Sequence, residues 1–129
     1  METAMRAALL AWLADELALS DELNIIAEEA PSRASLPWLG IAASAGADWS
    51  MKQRKGREVR LALELHCRGD DPQTAGALAS AVEARVESLP TAQDGFTVVT
   101  VTFLRSRAEQ RPGNVRAVLL EYRFRLLAD

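Results

Sequence analysis

The sequence predicts an α+β protein of two layers, a four-stranded, mainly antiparallel sheet with two helices on one face, in the order α-β-β-α-β-β. Three observations lead there. Val59–Cys67 and Val118–Leu126 each place an apolar residue at every second position, the period of a half-buried strand. Two other stretches, near the N-terminus and after Pro72, space theirs by three and four, as an amphipathic helix does. Between the second of these and the last strand, Phe96–Leu104 is dense in β-branched and aromatic residues.

Taken in order, the first helix runs from Thr3 to about Leu19 on a stripe of Met5, Leu9, Trp12, Leu13 and Glu16, with Trp12 as a core anchor. It dissolves near Ser20 and Asp21. A connector follows to Pro31, with a short extended piece over Asn24–Ala27. Leu36–Ala45 is the first strand, and Pro37 lies at its start, where a missing amide costs least. Gly46–Gly56 reads as a glycine-bounded loop, and Arg57–Arg68 as the second strand of a hairpin with a long, protruding tip. The breakers Gly69, Asp70, Asp71 and Pro72 open the second helix, whose stripe is Ala75, Leu78, Val82, Val86 and Leu89 and which stops at Pro90. Asp70 and Asp71 are read as helix caps, not as an acid/base pair. The third strand, Phe96–Leu104, sets Val99, Val101 and Phe103 on one face and Val98, Thr100 and Thr102 on the other. Arg105–Gly113 is then a second charged loop, and Val115 to about Leu127 the fourth strand, antiparallel to the third.

A chain of 129 residues is the size of one domain, spanning 1–129, and buries roughly two thirds of its unfolded surface. Its formal charge of −3 argues against general affinity for nucleic acid, so any DNA contact would be local. The lone Cys67 sits on the apolar parity of its strand and reads as a small buried hydrophobe, consistent with a reducing compartment. Asp15 and Glu16 interrupt the N-terminal apolar run, and no stretch approaches the ~20 residues of a membrane span. The expectation is a soluble, cytoplasmic protein. His66 and Cys67 point to opposite faces of their strand and so share neither a metal nor a catalytic dyad. No phosphate cradle is present. The chain is therefore expected not to be an enzyme and to need no cofactor or metal.

The charged loops carry the functional expectation. Lys52, Arg54, Lys55 and Arg57 follow Trp49 closely, and Arg105, Arg107 and Arg111 mark the second loop. Mounted on a rigid sheet, such loops suit contact with DNA phosphates or an acidic partner surface. The opposite face of the sheet, with Glu58, Arg60, Glu64, His66, Glu121, Arg123 and Arg125, is either solvated or meets a neighbouring subunit.

Ordered features over nearly the whole chain then suggest a family. They are the helix MRAALLAWLADELAL, the LPWLGIA strand, a D-W-S-x-K element at Asp48, Trp49, Ser50 and Lys52, the Gly56-Arg57-Glu58 entry into VRLALELHCR, the ALASAVEARV helix, FTVVTVTFLRSR and a final YRFRLLA. In these the chain resembles the small tail-completion proteins of tailed phages and phage-like gene transfer particles, a family similar to the tail terminators of long-tailed phages. The connector NIIAEEAPSRAS departs from the family pattern. The resemblance implies a structural protein of virion assembly. It implies a homo-oligomeric ring, commonly of six subunits, that caps the head-proximal end of the tail tube. Its expected partners are the major tail tube protein and the head connector protein, with transient DNA contact in the lumen and no membrane. It would be cytoplasmic during assembly and afterwards part of the particle. The alternative from the residues alone is a small-ligand or regulatory binding domain on a generic α+β scaffold.

Overall fold

The computed structural model describes residues Met1–Asp129 as an α+β fold with one five-stranded sheet and three helices. The elements are α1 (Glu2–Ala14), α2 (Leu17–Ser20), β1 (Ile26–Ala27), β2 (Trp38–Asp48), β3 (Gly56–Arg68), α3 (Pro72–Glu87), β4 (Phe96–Arg111) and β5 (Val115–Ala128). The sheet order is β1-β2-β3-β5-β4. Every pairing is antiparallel except the two-residue contact of β1 with β2, which is parallel.

Two elements beyond the expected six account for the higher count. The first helix ends at Ala14, and Leu17–Ser20 forms a separate turn of helix whose first turn is capped by the Glu16 side chain. The short extended piece of the connector is β1, which pairs Ile26 and Ala27 with Leu39 and Gly40. The hairpin strands are also longer than expected. β2 continues to Asp48, and β4 continues through Arg105, Arg107 and Arg111, so the second charged loop is strand. Only Pro112, Gly113 and Asn114 turn the chain, with positive φ at Gly113 and Asn114.

The core lies between the helices and one face of the sheet. Met5, Leu9 and Leu13 from α1 and Leu78, Val82 and Val86 from α3 pack on Val59, Leu61, Leu63, Leu65 and Cys67 of β3 and on Leu120, Tyr122, Phe124 and Leu126 of β5. These are the alternating sets visible in the sequence, and burial of each large side chain stabilises the fold by about 1.5–3 kcal/mol. Cys67 is buried, and that burial pushes its thiol up to about 11. Trp12 and Arg85 tie the two main helices. The guanidinium lies 3.4 Å over the indole, Trp12 Nε1 donates to the Arg85 carbonyl at 2.9 Å, and Arg85 Nε donates to the Trp12 carbonyl at 2.7 Å. Asp71 caps α3 by accepting from the Thr74 amide at 3.1 Å, with Pro72 in the first turn.

Register shifts occur between Ile41 and Ala43, between Val98 and Thr100, and between Phe103 and Arg105. The second one corrects the expected faces of β4. An extra residue at Val99 moves Val98 onto the face of Val101 and Phe103, opposite Leu126, and leaves Val99 exposed.

Candidate functional site

The loop between β2 and β3 is shorter and stiffer than a long protruding tip. Met51 and Arg54 exchange backbone hydrogen bonds of 2.8 and 3.3 Å, so Lys52 and Gln53 alone form the turn. Behind them the Asp48-Trp49-Ser50 element is a lock. The Ser50 hydroxyl donates to Asp48 Oδ1 at 2.6 Å and accepts from the Gly56 amide at 3.0 Å, while the Trp49 amide donates to the Gly56 carbonyl at 3.0 Å. A Cβ at Gly56 would stand 2.3 Å from the Trp49 carbonyl oxygen and 2.8 Å from that of Leu126, which explains the glycine at the entry to β3. Arg54 Nε donates to the Ala128 carbonyl at 2.9 Å, fixing the loop to the end of β5.

The five cation and aromatic candidates of this loop therefore divide. Trp49 is half-buried beneath the Arg125 guanidinium, 5.5 Å away. Arg57 bridges Glu2 at 3.1 Å and Asp48 at 3.5 Å. Arg54 also faces Asp129 at 3.8 Å. Lys52 and Lys55 make no ion pair and stay exposed, beside Met51, which is 54% exposed.

Arg105, Arg107 and Arg111 lie elsewhere. The register sets Gly56 against Leu127 but Arg68 against Val115, and Val115 against Arg111, so Arg111 is at the far end of the sheet from the loop tip, roughly 40 Å along the strands. All three are on the face that no helix covers, and all three are engaged. Arg105 pairs with Glu121, Arg107 with Glu109 at 3.0 Å, and Arg111 with Glu109 at 3.2 Å and Glu64 at 2.5 Å.

That open face is a network of internal ion pairs. Glu58 stands between Arg125 at 3.1 Å and Arg123 at 3.8 Å. Glu64 is buried, 8% exposed, and its Oε1 lies 2.7 Å from His66 Nε2, while the imidazole stacks on Trp38 at 4.0 Å. Burial alone would raise the Glu64 carboxyl. The hydrogen bonds and charges of His66 and Arg111 outweigh that and hold it below the usual carboxylate range. Trp38 and Glu64 form this cluster across strands, so their neighbourhood depends on register and has no signature along the chain. On the helix face the Tyr122 hydroxyl is buried without a hydrogen-bond partner. A depression of about 420 Å³ over Ala43, Ala45 and Ala62 is rimmed by Arg60, Arg105 and Glu121, the last two already paired with each other.

The described residues gather no group of three or more metal-ligating side chains, and no helix is long and apolar enough to cross a membrane. What they build is a two-layer scaffold with a short cationic tip and a face on which most charges are paired, Arg60 having no ion-pair partner and Arg123 Nε no hydrogen bond. The class to which such a scaffold is assigned comes from its sequence, which matches a family of phage tail structural proteins. The chain belongs to the family of tail completion protein gp17, whose profile matches residues 4–127. A chain in the virion of a native gene transfer agent particle shares the fold, with 21% sequence identity, a TM-score of 0.83, and coverage of 98% of this chain and 96% of that one. No curated protein matches the chain.

Proposed function

We propose that residues 1–129 form one tail-terminator-like unit that assembles into a ring, commonly of six subunits in such systems. The ring caps the head-proximal end of the tail tube and helps join tail to head, without catalysing a reaction. The observation that carries this reading is the match to the tail completion family over almost the whole chain. The physical picture agrees with it. A scaffold whose charges are mostly paired internally, and whose unpaired lysines project on a locked hairpin, is suited to docking on another protein surface. The major tail tube protein and the head connector protein are the partners in this reading, with Trp49, Lys52, Arg54, Lys55 and Arg57 at the contact or at the lumen. The chain assembles in the cytoplasm and then remains in the particle. Passing DNA meets at most a local cationic tip, because the chain as a whole carries −3.

The roles within the loop are unequal. Lys52 and Lys55 supply free charge, whereas Arg54, Arg57 and Trp49 hold the hairpin in place. Electron microscopy of particles from a strain lacking the gene tests the function. Overlong or ragged tails separated from heads are expected, and complete particles would overturn the reading. In a strain carrying Lys52→Glu and Lys55→Glu, finished particles should fall at least tenfold while the purified variant melts as the parent does. A normal yield would remove the tip from the contact.

A further inference from the structure

The sheet has two long unpaired edges. On one side β1 covers only Leu39 and Gly40, so β2 is open from Ile41 to Asp48. On the other, the segment before β4 bridges Thr97 and binds the Val98 amide, leaving Val99–Arg111 open. Unpaired amides and carbonyls on this scale are a template for another strand, and proteins commonly blunt them with proline, very short strands or a covering element. Neither open stretch contains proline.

The two edges are complementary. From Ala42 to Ala47 the β2 edge reads Ala-Ala-Ser-Ala-Gly-Ala, with small side chains of its own, while on the helix side the Glu2 carboxylate lies against Gly46 and Arg6 reaches the Ser44 hydroxyl at 3.4 Å. The β4 edge carries Val99, Phe103 and Leu104, exposed to 40%, 41% and 39%, three of the six exposed large hydrophobic residues of the chain. Direction also fits. Because β2 is antiparallel to β3, β3 to β5 and β5 to β4, the two edge strands run in opposite senses. A rotation about an axis along the strands keeps those senses, so β4 of one copy meets β2 of the next as an antiparallel pair. Followed across the register without stagger, Phe103 falls level with Ser44, Val101 with Gly46, and Thr102 with Ala45. Large residues of β4 fall level with small ones of β2, and on the helix side Val101 and Phe103 also come beside the Glu2 and Arg6 side chains that lie over Gly46 and Ser44. Arg107 comes level with Gly40, against which the backbone of Glu29 is packed, and Glu29 is exposed and unpaired.

We infer that the β4 edge of each chain pairs with the β2 edge of the next copy, extending the antiparallel sheet from subunit to subunit. The occupant of each edge is a second copy of this chain. This rests on the ring reading above and names the surface that closes the ring.

The test is cross-linking of particles with a short bismaleimide, using Ala45→Cys and Thr102→Cys together, and independently Ala47→Cys with Thr100→Cys. All four sites lie on the face without helices, away from the core, and Cys67 is too buried to compete. Each double variant should give a ladder of multimers on a denaturing gel, and each single variant none. Dimers from Thr102→Cys alone, or from Ala45→Cys alone, would mean like edges pair and would overturn the inference. So would ring density at the tail end without cross-links in either double variant, which leaves the ring itself standing. Loss of both the chain and ring density from otherwise normal particles would overturn ring and edge pairing together.

Discussion

Replacing Arg111 with methionine separates a structural role from a contact role at one of the arginines first expected in a loop. The substitution keeps the aliphatic bulk and removes the charge that lies 2.5 Å from Glu64 Oε1. Breaking a fully buried ion pair costs about 3–5 kcal/mol, because the remaining charge is left without a partner. Here water reaches Arg111, whose side chain is 35% exposed, and His66 stays 2.7 Å from the same oxygen. The expected loss is therefore about 1–2 kcal/mol at pH 7, between the buried and surface limits. Urea denaturation should read it as a lower midpoint at unchanged slope. Adding Glu64→Gln should return most of the loss, since the stranded charge is then gone.

The pH dependence has a definite sign. The folded-state pKa of Glu64 is depressed, so its contribution is present above the unfolded value of about 4.3 and is lost as pH falls through the lowered folded value. In Arg111→Met the carboxyl moves back up, so the gap between variant and parent should close on acidification. A variant as stable as the parent at pH 7, or a gap that widens in acid, would refute the assignment of Arg111 to the fold.

Two further substitutions test the packing around the core and the loop. Tyr122→Phe removes a buried hydroxyl that has no partner, and should stabilise the protein by about 1 kcal/mol, raising its melting temperature by roughly 4 °C; a clear loss of stability in calorimetry would mean that the hydroxyl is bonded in solution. Gly56→Ala drives a methyl group into two carbonyl oxygens at once and should cost about 2–3 kcal/mol by urea denaturation, whereas a neutral result would contradict the tight crossing at the base of the hairpin.

What the sequence disclosed follows from where water stops. β3 and β5 sit between two other strands and beneath α1 and α3, so burial imprints a clean alternation from Val59 to Cys67 and from Val118 to Leu126. The helix stripes of Met5, Leu9, Leu13 and of Leu78, Val82, Val86 are legible for the same reason. Arg105–Arg111 is equally strand, but it is an edge with both faces wet, so its backbone pairing leaves no apolar period, and a run of charges resembles a loop. Ala42–Asp48 hides similarly behind exposed small residues. The irregularities at Ile41/Ala43 and Val98/Thr100 reverse parity within a strand, which no fixed period accommodates. Of the candidate site, the Asp48-Trp49-Ser50 element was visible as a motif. Its work as a lock, and the division between held arginines and free lysines, depend on Gly56, Arg125 and Ala128, which are remote along the chain.

Two of the bulges fall at nearly one height. Ala42 on β2 and Leu104 on β4 each insert beside the row that joins Ala43, Ala62, Glu121 and Arg105 across the sheet. Bulges bend their strand and interrupt its regular ladder. Set on opposite margins along one row, they give the sheet a transverse crease. The crease is confined to the two margins, since β3 and β5 pair through the same row without a shift, and it separates the lysine tip at one end of the plate from the Glu64 cluster on the other side.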